Sequence, residues 1–140
     1  MLVKDLMSTD IVTCEYEASL QTAVVQLLRE NVGSVIVIRD GEPIGIVTET
    51  DSLLAGASSK RPFDKIPVKK VVSHPLITTT EDVTIKKAVE KMKTNEIKKL
   101  PVVEGIDLNG IITLTDIAIH HSDIVKEARQ PTNERNRWAT

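Results

Sequence analysis

The sequence GIVTETD at residues 45–51 returns 65 residues later as GIITLTD at residues 110–116. Each copy contains a glycine, two β-branched apolar residues and a Thr-x-Thr-Asp segment. The apolar residues predict the end of a buried strand. The Thr-x-Thr-Asp segment predicts a helix start, with Thr50 or Thr115 as the N-cap residue and the aspartate in the first turn.

This predicted junction between strand and helix has the chemistry of a nucleotide site. Free backbone N–H groups and the positive end of a helix attract phosphate. A carboxylate accepts hydrogen bonds from both hydroxyls of a ribose. Helix capping alone is the simpler explanation for threonine and aspartate at one such junction. Their presence at matching places in two copies favours a binding role.

The similarity extends well beyond the two junctions, because residues 3–54 align with residues 68–119 without a gap. Each copy reads as a short extended run, an amphipathic helix, two strands joined by a turn, and a final helix. The pattern predicts an α/β fold of two β-α-β-β-α motifs. Each motif is too small to bury a sufficient core alone, so we expect a pseudo-twofold module packed through its sheets.

Within each copy, further signals set the expected element boundaries. The opening strands are expected at residues 11–13 and 76–78, and the first helices begin after the N-cap candidates Ser19 and Thr84. These helices close near Asn31 and Asn95. Turns are expected at Asp40-Gly41 and at Asn109-Gly110. The helix faces expected to be buried comprise Leu20, Ala23, Val24, Leu27 and Leu28 in copy one, and Ile85, Ala88, Val89 and Met92 in copy two.

The repeat and the composition shifts divide the chain into four parts. Motif 1 is assigned to residues 1–56, a polar linker containing proline to residues 57–66, and motif 2 to residues 67–127. Residues 128–140 form a polar tail that we expect to be flexible. Its single tryptophan, Trp138, is the one residue there expected to anchor it.

Composition limits the class of protein. The 140 residues are 41% hydrophobic, 27% charged and 2% aromatic, which is typical of a soluble globular domain. A net charge of −2 and few aromatic residues make nucleic acid an unlikely partner. No apolar run is long enough to span a bilayer and no signal peptide is evident. We expect a cytoplasmic protein.

No catalytic constellation is evident, so we do not expect an enzyme or a catalytic cofactor. Cys14 occupies the repeat position of Thr79, which indicates a small strand residue rather than a nucleophile. His120 and Asp123 would share a helix face, but two ligands make a poor metal site. The glycine-rich phosphate-binding motifs of nucleotide enzymes are missing from the sequence. We expect no metal centre.

The repeated junctions, the LPVV strand at residues 100–103 and the openings KDLMS (residues 4–8) and KKVVS (residues 69–73) resemble the CBS-domain family, named for cystathionine β-synthase. The resemblance covers about residues 3–125, and a tandem pair of this kind is called a Bateman module. It implies a stand-alone regulatory module that binds an adenosyl ligand (AMP, ADP, ATP or S-adenosylmethionine) in clefts between its motifs. It also implies that the module signals to a separate partner protein.

The same resemblance implies which residues form the two clefts. The aspartates Asp51 and Asp116 would hold the ribose hydroxyls, and Thr48 and Thr113 would contact ribose or phosphate. Apolar residues would enclose the adenine. Those expected with Asp116 are Val12, Val32 and Gly33, and those expected with Asp51 are Ile77 and Ile97. Core packing is the alternative explanation for these apolar residues.

The segments before the two middle strands differ, because copy two has Lys98 and Lys99 where copy one has Gly33 and Ser34. Basic residues at these second-copy positions often face phosphate in the family. We therefore expect unequal sites, with Lys98 and Lys99 serving the Asp116 cleft for a phosphorylated nucleotide. The Asp51 cleft would be empty or would take a less charged ligand.

Two alternatives remain open at this stage. The pair could be a ligand-free dimerisation and interaction module, or, less favoured, a nucleic-acid-binding regulator that uses the lysines of residues 86–99. Paired CBS modules commonly associate through their helices, and we expect a homodimer. The apolar residues available for that contact are Leu53, Leu54, Ile117, Ile119 and Ile124.

Overall fold

The computed structural model describes residues 1–128, and within the last helix it describes side chains as far as residue 122. The first half contains α1 (Val3–Leu6), β1 (Thr13–Glu15), α2 (Leu20–Glu30), β2 (Ser34–Arg39), β3 (Glu42–Thr48) and α3 (Glu49–Ser59). The second half contains α4 (Ile85–Thr94), β4 (Lys99–Glu104), β5 (Asp107–Thr113) and α5 (Leu114–Ala128). Two 3₁₀ turns, Phe63–Lys65 and Val68–Lys70, join the halves. The expectations for the tail and Trp138 lie outside the described residues.

The sequence signals for the long helices α2 and α4 are confirmed. The Ser19 and Thr84 hydroxyls accept hydrogen bonds from the amides three residues on, at 3.3 and 3.2 Å. Asn31 ends α2 in the left-handed conformation, and Asn95 is the C-cap of α4. The expected buried face of α2 is wrong at one residue, because Leu28 is 77% exposed. It lies one residue beyond Leu27, which turns it past the edge of the buried stripe.

The two halves form sheets of different size. In the first, β1 pairs in parallel with β2, and β2 pairs antiparallel with β3. In the second, β4 and β5 form a two-stranded antiparallel sheet. The opening strand expected at residues 76–78 is absent there, and one parallel bridge between Thr79 and Val102 takes its place. Proline explains one of the lost bonds: the Ile36 amide donates to the Val12 carbonyl at 2.9 Å, whereas its repeat equivalent, Pro101, has no N–H.

The turn between the strands is at Asp40-Gly41 in the first half, as expected, and both residues have positive φ. In the second half the expectation of a turn at Asn109-Gly110 is wrong. Both residues lie inside β5, and the turn is formed by Gly105 and Ile106. Gly105 has a φ of 63°, which a glycine adopts without strain.

The opening segments of the two repeats change places. Val3 and Lys4 donate to the carbonyls of Val83 and Glu81 at 2.8 and 3.1 Å, so residues 1–8 join the second half. Conversely, Val68 donates to the Ala18 carbonyl at 2.9 Å, and residues 66–73 join the first half. The domain boundaries expected above follow the sequence repeat and remain predictions. In the structure, each packed half includes the opening segment of the other copy.

Each half has its own apolar core behind its sheet. The first is centred on Leu20, Val35 and Val37 and includes Ile66 and Val68 from the exchanged segment. The second includes Val3 from the other exchanged segment. Ile36 and Pro101 are almost fully buried but belong to neither core. Because side chains alternate along a strand, they occupy the opposite sheet faces, where the halves meet.

None of the described helices is both long enough and apolar enough to cross a bilayer.

Candidate functional site

The two strand-to-helix junctions begin their helices earlier than expected. The N-cap residue of α3 is Thr48 rather than Thr50, since its hydroxyl accepts a hydrogen bond from the Asp51 amide at 3.1 Å. The equivalent bond joins the Asp116 amide to the Thr113 hydroxyl, also at 3.1 Å, so Thr115 is not the cap either. The helix follows directly on the last strand residue, which leaves no room for a cap two positions later.

Asp51 also completes the cap from its side chain. Its Oδ2 accepts a hydrogen bond from the Thr48 amide at 3.1 Å, which forms a reciprocal capping box. Capping is therefore one role of this aspartate, as the simpler reading of the sequence proposed. Its Oδ1 remains as a second acceptor, and the residue is only half-buried.

A cavity of about 570 Å³ opens beside Asp51. The second half contributes Ile77, Ile97 and Lys98 to its wall, and Pro101 closes it on the sheet side. The remaining described wall residues are Gly33, Ile46, Thr48, Glu49, Thr50, Ser73, Pro75, Leu76, Glu96 and Lys99. This cavity is therefore a cleft between the halves, and we call it the Asp51 cleft.

A second cavity, of about 850 Å³, opens beside Asp116 and is called the Asp116 cleft. Val12, Val32 and Gly33 reach it from the first half. The remaining described wall residues are Ser8, Thr9, Asp10, Ile11, Glu30, Asn31, Ser34, Ile36, Lys99, Ile111, Thr113 and Thr115. Both clefts thus combine the junction of one half with the opening strand and the pre-strand segment of the other.

The structure brings most of the expected site residues together in the expected groups, with one correction. Lys98 lines the Asp51 cleft and not the Asp116 cleft, and Lys99 lines both. The reason is geometric: the segment before a middle strand faces the junction of the other half, as Val32 faces Asp116. Lys98 obeys the same rule and therefore faces Asp51. Whether these residues bind a ligand remains a prediction.

The clefts differ in charge as a result. The described wall of the Asp51 cleft carries Glu49, Asp51 and Glu96 with two lysines. The described wall of the Asp116 cleft also carries three acidic residues, Asp10, Glu30 and Asp116, but Lys99 is its only cation. This distribution of lysines is the opposite of the one expected above, and which cleft prefers a phosphate remains a prediction.

The clefts differ also in the backbone groups that an adenine edge could meet. In the Asp116 cleft, the Val12 carbonyl already accepts a hydrogen bond from Ile36. In the Asp51 cleft, Pro101 has no N–H to donate to the equivalent carbonyl of Ile77. Both lone pairs of that carbonyl are therefore available to an exocyclic amine, whereas the Val12 carbonyl has one left.

Sequence reasoning missed the exchanged segments as parts of the clefts. Ser8 lines the Asp116 cleft and Ser73 lines the Asp51 cleft, each as the last residue of the segment that crosses to the other half. Their positions at the end of the repeated openings KDLMS and KKVVS were the available signal. A repeat alignment shows which residues correspond, but it does not show which half they pack on.

Other candidate chemistry is weak in the described residues. Burial, and to a lesser extent the neighbouring charge of Glu15, raises the pKa of the Cys14 thiol to about 11. The thiol is thus neutral at pH 7 and a poor nucleophile. No cluster of three or more potential metal ligands is found among the described side chains, and the side chain of Asp123 lies outside them.

Comparison with known proteins identifies relatives over most of the chain. The family model for the CBS domain matches residues 3–51 and 68–127. The uncharacterised protein YlbB of Bacillus subtilis is 30% identical over 135 residues, covering 95% of this chain and 84% of its own length. The CBS domain-containing protein YhcV of Bacillus subtilis is 30% identical over 118 residues, covering 84% of both chains.

Two solved structures share the fold. The CBS domain pair of protein MJ0100, in complex with 5′-methylthioadenosine and S-adenosyl-L-methionine, superposes with a TM-score of 0.79 at 26% identity, covering 89% of this chain and 98% of that one. A conserved protein from Pyrococcus horikoshii gives a TM-score of 0.77 at 27% identity, covering 86% and 91%. Since the two matched segments coincide with the two repeats, this chain belongs to the CBS-domain family and contains a tandem pair of CBS motifs.

Proposed function

We propose that this CBS pair is a regulatory module that binds adenosyl ligands in the Asp51 and Asp116 clefts. The observation that carries the proposal is the convergence, in both clefts, of a helix start, an aspartate and apolar residues from the opposite half. The similar CBS pair of MJ0100, crystallised with two adenosyl compounds, supports the same ligand class.

Each part of an adenosyl ligand has a partner of suitable chemistry. The carboxylates of Asp51 and Asp116 suit the ribose hydroxyls. In the Asp51 cleft, Ile77 and Ile97 suit the faces of the adenine, and Lys98 suits a phosphate. In the Asp116 cleft, Val12 and Val32 take the place of the two isoleucines. AMP, ADP, ATP and S-adenosylmethionine all remain candidates, and we propose no catalytic cofactor or enzymatic step.

The regulatory output follows from the position of the clefts between the halves. A ligand that fits one relative arrangement of the halves better than another shifts the population toward that arrangement. The shift cannot exceed the ligand's preference between the two states. We propose that a separate effector protein reads this arrangement.

The first experiment is a thermal-shift series with AMP, ADP, ATP, S-adenosylmethionine, 5′-methylthioadenosine and adenosine. A ligand at 100 times its Kd stabilises the folded state by about 2.7 kcal/mol. Asp51→Ala and Asp116→Ala should each lose the contribution of one cleft. Because Asp51→Ala also removes one hydrogen bond of the capping box, each variant is compared with its own ligand-free state.

A shift with at least one adenosyl ligand, reduced by an aspartate substitution, is the expected result. If no ligand shifts the unfolding temperature, the proposal fails and the capping box is the one role left for the Asp51 side chain. The interaction-module alternative would then be the better account. It is favoured by one observation: Leu53 and Leu54 on α3 and Ile119 on α5 are more than half exposed.

A further inference from the structure

One ammonium group lies where the two clefts adjoin. Lys99 forms part of the wall of both the Asp51 cleft and the Asp116 cleft, and Gly33 does the same. A methyl group added to the α-carbon of Gly33 would lie 2.6 Å from Lys99 Nζ. The lysine therefore extends over the glycine that separates the clefts.

Nothing in the described structure holds this ammonium group on one side. No carboxylate of the described residues lies within 4.0 Å of Lys99 Nζ. Gly33 has no side chain to direct it, and the four-carbon stem of a lysine rotates freely. The Lys99 side chain can therefore turn toward an anion in either cleft.

The two clefts do not depend on Lys99 equally. The Asp51 cleft has a second cation, Lys98, in its described wall. In the Asp116 cleft, three carboxylates lie in the described wall and Lys99 is the only cation among the described wall residues. Without Lys99, the described wall would offer a phosphate there no positive side chain.

We propose that the two clefts compete for Lys99, so that a phosphorylated adenosyl ligand in one cleft weakens the binding of a second phosphorylated ligand in the other. A single positive charge compensates one phosphate well and two phosphates poorly, and two phosphates that approach the same point repel each other. This inference rests on the proposed function, since it requires that both clefts accept adenosyl ligands.

The same competition predicts which pairs of ligands can occupy the two clefts at the same time. A nucleotide phosphate in the Asp51 cleft, where Lys98 assists, is compatible with an uncharged or cationic adenosyl ligand in the Asp116 cleft. 5′-Methylthioadenosine has no phosphate, and S-adenosylmethionine carries a positive sulfonium group that suits three carboxylates. The module would thus accept a nucleotide and a sulfur-containing adenosyl compound together, one in each cleft.

Isothermal titration calorimetry tests the inference with AMP and 5′-methylthioadenosine as ligands. Asp51→Ala leaves the Asp116 cleft intact, and Asp116→Ala leaves the Asp51 cleft intact. Each variant therefore gives the affinity of its intact cleft alone. Binding of 5′-methylthioadenosine to the remaining cleft checks that each variant is folded. For the unsubstituted protein, we expect the second AMP to bind about tenfold more weakly than the single-cleft affinity, within the usual range of coupling between sites.

Lys99→Met removes the charge and keeps an unbranched side chain, and Lys98→Met is the matched control. We expect Lys99→Met to reduce the interference between two AMP molecules to less than about twofold, although each AMP then binds more weakly. Lys98→Met should keep the interference, because that residue lines one cleft only. Two molecules of 5′-methylthioadenosine should show no interference in any variant.

Three results would overturn the inference alone: interference that persists in Lys99→Met, equal interference with 5′-methylthioadenosine, or an Asp51→Ala variant whose intact cleft binds 5′-methylthioadenosine but not AMP. In the last case there is no second phosphate to compete. Failure of every adenosyl ligand to bind the unsubstituted protein is a different result, because it overturns the proposed function as well.

Discussion

Gly45 and Gly110 lack a side chain because another segment of the chain occupies the space. A Cβ at Gly110 would lie 2.6 Å from the Ser8 carbonyl oxygen, and one at Gly45 would lie 2.6 Å from the Ser73 carbonyl oxygen and in contact with Val72 Cγ2. Both carbonyls belong to exchanged segments that pair with the adjacent strand residue. The first residue of the repeated GI(V/I)T motif therefore serves the packing of the module.

Gly45→Ala and Gly110→Ala should each lower the free energy of unfolding by about 1–3 kcal/mol, the usual cost of overpacking against atoms that cannot move aside. Gly33→Ala is the matched control, since its added methyl group meets only the flexible end of Lys99. We expect that control to stay within about 0.5 kcal/mol of the unsubstituted protein. Urea denaturation measures all three, and equal stability of Gly110→Ala and Gly33→Ala would contradict the close approach.

At the scale of the element, the opening strand illustrates how one residue changes a repeat. β1 is a three-residue strand, whereas its counterpart in the second half makes a single bridge at Thr79. The two hydrogen bonds that remain there join Thr79 to the Pro101 carbonyl and to the Val103 amide, both at 2.9 Å. The bond equivalent to that from the Tyr16 amide to the Ile38 carbonyl is missing. A bond to the Ile77 carbonyl is also missing, because Pro101 cannot donate it.

Pro101→Val should restore this bond, because valine fits a strand and supplies the missing N–H. We expect the new amide at position 101 to become protected from hydrogen exchange by bonding to the Ile77 carbonyl. The gain of about 1 kcal/mol from the bond should roughly offset the lost rigidity of proline, so stability should change by less than about 1 kcal/mol. Amide exchange followed by NMR makes the measurement, with the Ile36 amide as the internal reference. Rapid exchange at position 101 would show that the strand is shortened for another reason.

At the scale of the whole molecule, the exchange of opening segments ties the halves together. Residues 1–8 complete the second core and residues 66–73 complete the first. Each half therefore lacks part of its core without the other, which fits the limited area that so small a unit can bury alone. The clefts lie between these interlocked halves.

Three of the five apolar residues expected at a dimer contact are exposed on the surface of the module. Leu53, Leu54 and Ile119 are 69, 65 and 56% exposed, whereas Ile117 packs against the second core and the Ile124 side chain lies outside those described. We expect a homodimer. The double substitution Leu53→Glu and Leu54→Glu should convert it to a monomer, because it places charges in an apolar contact. Light scattering coupled to size-exclusion chromatography measures the mass. Leu28→Glu on α2 is the matched control and should remain a dimer. A monomeric unsubstituted protein would contradict the expectation.

Much of the fold was predictable from local pattern. The 65-residue repeat, the caps Ser19 and Thr84, and the apolar stripes of α2 and α4 depend on residues close in sequence, whose periodicity and hydrogen bonding are local. The residue types at Asp51 and Asp116 likewise indicated what chemistry the junctions could perform. The comparisons support the family, and the structure groups most of the expected residues into two cavities.

The sequence by itself determined the repeat, the order of the elements and the chemical character of the junctions, because these follow from neighbouring residues. Only the tertiary structure decided which half each segment packs on. It moved Lys98 to the Asp51 cleft, placed Lys99 between both clefts and assigned residues 1–8 to the second half. The physical reason is that two nearly equivalent halves offer each segment two similar sites, and a repeat alignment cannot distinguish them.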